Sequence, residues 1–583
     1  MRIVLVEIKN FRGIKSMPPW SPSAGVNCLI GPGDSTKTTI LDAIELCLYP
    51  RAYFLAEDSD FFNLDVEEPI KITVTLTDLP VEFIALDRYG HFLRGWDEKK
   101  MQIEDEPKKA EDENSEDLNY ALSIALEIDK SLEGRWSIFN ERIASSGGDP
   151  PNVRYKDVEQ LATSRLGRYA DRHLGWGRNS ILSRIADKGG KFTAQLADAR
   201  RAAKKAFQEG DQTAFKETAQ KAEKLSETFA VPVLNGYRAD LDLDASSISS
   251  GGIALHDGSL PLRRLGTGSS RLIVAALQHA AGSPNISLID ELENGLEPHR
   301  IARLLKHLKT PHENAAAPPQ VFLTTHSVTV IRELSIGELF AIRSKSGRTT
   351  VLSISEKSPE PGAALRHLRR EPEAFLARRI LVVEGKTELG LVRALDEYWS
   401  RGGLESFALQ GVVPINGEGT DAPQTSLTLL CLEYEVFLLH DTDIAPSQDL
   451  IDRVKQEGGN VEGWEGNCST EERIFLDVPW DTACKLLDYA RECKGDDSVL
   501  DGIKKATGAF TSSIITSLDH SAWVESVELR QILGRAAKAK KTSWFKDVTS
   551  GECLGSIIGP CLEKIPNSPL VASLKRLRDW VDA

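Results

Sequence analysis

The chain opens on an alternation. In "MRIVLVEIKNFRGIK" (Met1 to Lys15) apolar and polar residues take turns, the period-two pattern of a half-buried strand. "GVNCLI" (Gly25 to Ile30) is continuously apolar and β-like. The period then changes. "TTILDAIELCLY" (Thr38 to Tyr49) places Ile40, Leu41, Ile44 and Leu48 on one helical stripe. From Arg264, "RLGTGSSRLIVAALQHA" reads as a glycine-serine turn that opens an apolar helix. "NISLIDELENGLEP" (Asn285 to Pro298) is a short apolar strand ending in Asp290 and Glu291, and "QVFLTTHSVTVI" (Gln320 to Ile331) is a strand ending at His326. "RRILVVEGKTELGLVRALDEYW" (Arg378 to Trp399) is a buried strand, then Glu384 and Gly385, then a helix. "YEVFLLHDTDIAP" (Tyr434 to Pro446) is another buried strand, closed by Asp441, Thr442 and Asp443. Strands alternating with helices predict an α/β fold.

Two further stretches differ in texture. From Lys191 to Ala230 the spacing predicts two amphipathic helices broken at Glu209 to Asp211, with Ala194, Leu196, Ala199, Ala203 and Phe207 near one face of the first. Its basic stripe of Arg200, Arg201, Lys204 and Lys205 reads as a solvated face, with a dimer contact or a DNA track as the sharper readings. "DEKKMQIEDEPKKAEDENSED" (Asp97 to Asp117) reads as a solvated, acid-rich loop. No long heptads are present, which excludes an extended coiled coil.

At 583 residues the chain is too long for one core, so several domains are expected. Its 41% hydrophobic and 27% charged residues are ordinary for a soluble protein. The net charge of −15 argues against a generally basic nucleic-acid coat but leaves room for a local basic patch. Eight cysteines without a C-x-x-C pair suggest reduced thiols and a cytoplasmic protein. No apolar run approaches the ~18 residues of a membrane span, and the opening strand is not a signal peptide.

The stretch "LIGPGDSTKTTILDAIE" (Leu29 to Glu45) is close to a phosphate-binding loop. Gly31 and Gly33 supply a bend whose N–H groups can face an anion at a helix N-terminus. Lys37 would reach the β- and γ-phosphates and Thr38 would hold Mg²⁺. Thr36 stands where the pattern has glycine. The plainer alternative is a strand, a turn and a helix with a chance lysine. The Asp290–Glu291 pair fits a magnesium-ordering aspartate followed by a water-polarising glutamate, although such a pair also occurs on ordinary surfaces. A histidine at a strand end, such as His326, is commonly structural.

Glu384 at one strand end and Asp441 and Asp443 at another predict three carboxylates along one edge of a parallel sheet, the edge where ligand sites gather. Carboxylates so placed repel one another and suit a hard cation such as Mg²⁺. Glu388 lies one helical turn after Glu384 and can face the same point. "CSTEERIF" (Cys468 to Phe475) adds Glu471 and Glu472 as weaker candidates.

The order of the first four motifs resembles the ATP-binding-cassette ATPases, and "IKNFRGI" (Ile8 to Ile14) resembles the first strands of their structural-maintenance-of-chromosomes type. That resemblance implies ATP as ligand. It assigns Gly31, Gly33, Lys37, Thr38 and Thr39 to Walker A, and Gly266 to Ser270, with Gly268 and Ser269, to the signature loop. It assigns Asp290 and Glu291 to Walker B, Glu291 as the hydrolytic residue, "NGLEP" to the D-loop and His326 to the switch. It also implies a homodimer, since one subunit's signature loop closes over the other's ATP. "LGTGSS" departs from the family's Ser-Gly-Gly core and a Q-loop glutamine is not evident. The second carboxylate set resembles the Toprim domain of topoisomerases, primases and some nucleases, which implies Glu384 as ligand or acid/base and Asp441 and Asp443 as ligands.

An ABC ATPase followed by a Toprim domain is similar to the overcoming-lysogenization-defect, or OLD, family of nucleases. The resemblance implies metal-dependent cleavage of DNA by two Mg²⁺ or Mn²⁺ ions about 4 Å apart, with Glu384, Glu388, Asp441, Asp443 and Glu471 or Glu472 as ligands, and a role in phage defence or DNA repair. It further implies a basic residue from "KAKKTSWFKDVTSGE" (Lys538 to Glu552), for which Lys546 is the choice. The expected organisation is ATPase over 1–150 and 236–372, a helical insertion and dimerisation domain over 151–235, and a Toprim domain with a helical extension over 373–583. The alternative is a DNA-clamping or signalling ATPase whose Toprim domain binds without cutting.

Overall fold

The computed structural model describes residues 1–48, 56–107, 118–146, 151–154, 157, 161, 163–166, 174, 182, 192–209, 216, 255–257, 260–280, 285–311, 318–444, 447–507, 517–539 and 543–583. The chain divides into two units. The first comprises Met1–Gly13, Pro19–Asn27 and Thr38–Thr325, the second Ile14–Pro18, Cys28–Lys37 and His326–Ala583.

In the first unit the opening alternation becomes the strand Arg2–Phe11, whose Ile3, Val4, Val6 and Ile8 are buried. It pairs antiparallel with Ile70–Thr77, placing Val6 opposite Val74 and Ile8 opposite Ile72. Ile70–Thr77 pairs in turn with Asn119–Ile128, which is flanked by Gly134–Phe139 and Arg94–Asp97. The stripe of Ile40, Leu41, Ile44 and Leu48 is fully buried on the helix Lys37–Leu48. Ile286–Ile289 runs parallel between Ser164–Leu166 and Gln320–Thr324, as apolar strands covered on both faces do. The side-chain amide of Gln320 bonds the backbone N–H and carbonyl of Ile3 at 2.7 and 2.9 Å, tying the two kinds of strand together.

The acid-rich stretch differs from the expected loop. Gln102–Glu104 pairs antiparallel with Arg94–Asp97, and Asp97 is buried because its carboxylate accepts the Lys99 and Lys100 N–H groups of the turn. Residues 108–117 lie outside the described residues. Of the amphipathic pair, the first helix is present as Phe192–Glu209, with Ala199 exposed. The second expected helix lies outside the described residues, Lys216 apart.

The second unit holds a hairpin, Leu339–Lys345 with Arg348–Ser353, turned at Ser346 and Gly347, both in the left-handed region. Its first strand runs parallel to Cys28–Ile30. A separate parallel sheet has the order Val412–Asn416, Arg379–Val383, Glu435–His440, Asn460–Gly463. The helices Lys386–Arg401, Thr470–Asp477, Trp480–Lys494, Val527–Lys538, Val548–Ile558 and Pro569–Asp582 share one core with it, including Trp464, Phe475, Trp544 and Phe545. Burying each such aromatic stabilises by about 1.5–3 kcal/mol.

Two contacts fix the helix that follows Glu384. Lys386–Arg401 and Val548–Ile558 meet backbone to backbone: a Cβ on Gly390 would strike Val548 and Glu552, and one on Gly551 would strike Thr387. Arg379, which starts the strand leading to Glu384, donates to the carbonyls of Trp580 and Val581, and its guanidinium lies 4.2 Å over the Trp580 ring.

Candidate functional site

Asp290 follows the strand Ile286–Ile289 and is buried. Its Oδ1 accepts the hydroxyls of Thr38 at 3.0 Å and Thr324 at 2.7 Å, so two residues singled out in the sequence, Thr38 and Asp290, are brought together. Glu291 has φ of +47°, and its N–H donates to Thr324 Oγ1 at 2.8 Å. Three further residues hold this turn and carried no signal in the sequence. Thr324 is one. Arg165 places Nη2 2.8 Å from Asp42 and 3.7 Å from Asp290. Arg271 is fully buried and donates to the carbonyls of Asp290 and Glu291, each at 3.0 Å. Burial pushes the Arg271 pKa down, against Glu293, Asp290 and Glu291, which raise it.

The turn at Gly266 to Ser270 is shorter than expected. The helix Thr267–Ala280 takes in Gly268 and Ser269, leaving Gly266 exposed before it, and Ser269 Oγ accepts from Arg300 at 3.2 Å. Helix packing explains the early start, since Gly268 and Ser270 are already buried.

In the second unit the phosphate-binding stretch has its bend at Gly31 to Thr36. Lys37 is buried, and its ammonium donates to the carbonyls of Gly31 (3.1 Å) and Pro32 (2.6 Å) and to Ser35 Oγ (3.1 Å). Gly33 is exposed, and Thr38 and Thr39 follow in the first turn of the helix. Thr36 has φ of +67°, a region that a β-branched residue rarely adopts. Glycine adopts it freely, which is the physical reason the pattern prefers glycine there. His326 lies exposed beyond the strand Gln320–Thr324, just before the Ser327 cap of the helix Val328–Glu333.

The carboxylates gather at the carboxyl edge of the parallel sheet, as the sequence predicts. Glu384 follows Arg379–Val383 and Asp441 follows Glu435–His440, and the Asp441 N–H donates to Glu384 Oε2 at 2.7 Å. Glu388 is buried on the next helix. Asp441 Oδ1 accepts both the N–H and the hydroxyl of Thr470 at 2.9 Å, which brings the helix Thr470–Asp477 and its buried Glu471 to the cluster. Ser469 caps that helix: its Oγ accepts the Glu472 N–H at 3.3 Å and donates to Glu471 at 3.1 Å.

Two lysines of the stretch Lys538 to Glu552 act on this cluster, and the one hydrogen-bonded to it is Lys538. Lys538 Nζ donates to Asp443 at 2.9 Å and Glu472 at 2.7 Å. Lys538 ends the helix Val527–Lys538, which packs so closely on Glu472 that Gly534 has no room for a side chain. Lys546 is exposed; burial raises the Glu471 pKa, and Lys546 and Lys538 oppose that rise.

The cluster's electrostatics follow from crowding. Burial raises the pKa of Glu384, and Asp443 and Glu471 raise it further. Glu388 is pushed up to about 7, by burial and then by Glu471. Asp441 is raised by burial and by Glu388, Glu384 and Glu471. Among the described residues, no three His, Cys, Asp or Glu side chains already surround one point as a metal ion requires. The donor chemistry nevertheless fits a hard divalent cation, because all the groups are oxygen acids whose mutual repulsion such an ion relieves.

Residues 26–332, more than half of the chain, match the family described as "AAA domain, putative AbiEii toxin, Type IV TA system". The chain belongs to this family. Its ATPase domain is of the AAA/ABC type. A stretch of 67 residues is 36% identical to the DNA replication and repair protein RecF of Prosthecochloris aestuarii, covering 12% of this chain and only 18% of that protein's length. Two solved structures are similar at a coarse level. The SMC head domain from Thermotoga maritima matches with a TM-score of 0.28 and 14% identity, over 60% of this chain and 99% of that one. The SmcHead bound to the C-winged helix domain of ScpA matches with a TM-score of 0.33 and 12% identity, over 61% and 99%. No helix among the described residues is long and apolar enough to cross a membrane.

Proposed function

We propose that the chain is an ATP-binding, metal-dependent DNA endonuclease of the OLD type, with a Toprim-like carboxylate centre that acts in a homodimer. One observation carries this reading: Glu384, Glu388, Asp441, Asp443 and Glu471 come from separate elements to one sheet edge, beside Lys538. Family membership supports the ATP half. In the second unit Lys37 would bind phosphate; in the first, Thr38 and Asp290 would hold Mg²⁺ and Glu291 would orient water.

At the carboxylates, Glu384, Glu388, Asp441, Asp443 and Glu471 would hold Mg²⁺ or Mn²⁺, which when bound supplies Lewis-acid activation of water and of the phosphodiester. The chain's own residues do the rest. Thr470 fixes the orientation of Asp441 through two hydrogen bonds. Glu388, pushed up to about 7 by burial and by Glu471, would give up its proton as a cation enters the set. Lys538, once released from Asp443 and Glu472, offers an ammonium to charge growing on the phosphate.

Supercoiled plasmid incubated with Mg²⁺, Mn²⁺ or EDTA, with and without ATP, tests the reading. Nicked product in Mn²⁺ and none in EDTA is expected. Uncut plasmid under every metal condition would sink it. That result would favour the second reading, a DNA-clamping ATPase that binds without cutting, for which the Lys538 contacts with Asp443 and Glu472 already speak.

A further inference from the structure

Thr36, the residue that departs from the phosphate-binding pattern, has no task in the reading above. Its Oγ1 donates to the Ser35 carbonyl at 2.6 Å and lies 3.2 Å from Thr349 Oγ1. Thr349 is fully buried on the second strand of the hairpin Leu339–Lys345/Arg348–Ser353. On the first strand, the Ile342 carbonyl lies only 2.7 Å from where a Cβ on Gly31 would sit. The phosphate-binding loop therefore rests on the hairpin at both ends.

Successive side chains of a strand point to opposite faces. Thr349 meets the loop, so its neighbour Thr350 faces the other way. Thr350 Oγ1 donates to Glu433 at 2.9 Å. Its cross-strand partner is Arg343, whose Nε donates to the Leu432 carbonyl at 3.1 Å and whose guanidinium stacks 3.3 Å over Tyr434. Residues 432–434 form the turn between the helix Ala422–Cys431 and the strand Glu435–His440, with Glu433 at φ of +59°. That strand leads to Asp441.

We propose that Thr36, Thr349, Thr350 and Arg343 are positioning residues that transmit the state of the phosphate-binding loop to the strand carrying Asp441. Nucleotide at the loop then alters both the dynamics of residues 432–441 and cation affinity at the carboxylates. The cation half of this statement rests on the proposed carboxylate centre; the dynamic half does not.

The physical case has three parts. Phosphate held by the loop's N–H groups bears directly on Thr36, which already sits in a left-handed conformation its side chain resists and which the ligand would reinforce. The hairpin between loop and turn is a hydrogen-bonded pair that moves as a piece. Arg343 Nη2 is buried without a hydrogen-bond partner, so this end of the chain of contacts has an unmet donor that a shifted turn can satisfy. Glycine at position 36 would keep the loop's shape and lose the hydroxyl contact.

Hydrogen exchange on the full-length chain, with Mg²⁺ present throughout and with or without ATPγS, tests this. In the wild type ATPγS should slow amide exchange across 432–441 about fivefold, the low end of ordinary coupling. Thr349→Val and Thr350→Val keep shape and remove one hydroxyl each. Each should bind a fluorescent ATP analogue as the wild type does and lose the response at 432–441. Their combination should add nothing beyond either alone, and Thr349→Ser should restore the response. An exchange pattern unmoved by ATPγS in the wild type, or an intact response in Thr349→Val, overturns the proposal. Mn²⁺ affinity, taken as the sites lost in Asp441→Ala, separates the two readings. Affinity that shifts with ATPγS supports the proposal, and affinity that ignores it overturns the cation half. Absence of those sites overturns the carboxylate centre, and exchange at 432–441 then decides the coupling alone.

Discussion

The phosphate-binding loop and the carboxylate edge are opposite solutions to placing charge in a folded chain. At the loop the Lys37 ammonium donates to neutral groups, among them two carbonyls and a hydroxyl. At the sheet edge several acids crowd together, and burial and mutual repulsion raise the pKa of Glu384, Glu388 and Asp441. Neutral acceptors can be exchanged for a stronger anionic one at little cost, because charge-assisted bonds are roughly twice as strong. Crowded acids must instead take up protons, a lysine or a metal. The loop's charge is therefore met by neutral groups, whereas the acids at the edge raise one another's pKa.

Four experiments press on this contrast. The largest effect is expected at the edge. Asp441→Ala removes a carboxylate from the proposed metal set and should cost several kcal/mol of barrier, roughly a thousandfold in plasmid cleavage. Binding of a fluorescent ATP analogue should not change. Lys37→Ala is the mirror image. It should weaken analogue binding roughly 10- to 100-fold, the worth of a charge-assisted hydrogen bond, while calorimetric Mn²⁺ binding at the edge persists. Equal damage to both ligands in either variant would erase the contrast.

The third experiment uses pH. Glu388 has a folded-state pKa raised from 4.5 to about 7. An acid raised in this way contributes stability that is complete below about pH 4.5 and is lost as pH climbs through 7. In EDTA the wild type should lose on the order of a few kcal/mol over that window, and Glu388→Gln should flatten the loss. Thermal melts at pH 5 and pH 8 would measure both. Added Mg²⁺ should raise the wild-type melting temperature more at pH 8 than at pH 5. A flat wild-type profile would mean that the acids do not raise one another's pKa.

The smallest effect belongs to the loop's backbone. Thr36→Gly relieves a left-handed conformation costing about 1–2 kcal/mol and adds unfolded-chain entropy of about 0.5–1 kcal/mol. The net gain in stability should be no more than about 1 kcal/mol, read by urea denaturation. ATP turnover measured in the same variant would show whether Thr36 also slows hydrolysis.

The carboxylate edge was legible from sequence because its strands are uninterrupted apolar runs with acids at one end. Glu384, Asp441 and Asp443 could be placed without knowing what packs around them. Lys538 was not legible. It belongs to a run of lysines, and only the packing of the helix Val527–Lys538 on Glu472 decides which ammonium reaches the acids. Arg165, Arg271 and Thr324 were missed for a related reason: each acts on Asp290, or on the turn beside it, from a distant part of the sequence. The charged run after Asp97 misled because its composition is that of a loop, while pairing with Arg94–Asp97 makes part of it a strand.

The bond from Arg379 to the carbonyls of Trp580 and Val581 spans about two hundred residues of sequence. A ribosome adds ~5–20 residues per second, so a strand made first stands roughly 10–40 seconds without its anchor. The helix Val548–Ile558, which locks against Gly390, is likewise made late. A nascent chain can thus complete its ATPase elements well before the acids at the sheet edge are set. Premature termination anywhere in the last two hundred residues would release a chain whose acids at the sheet edge lack their anchoring elements, a built-in order of assembly.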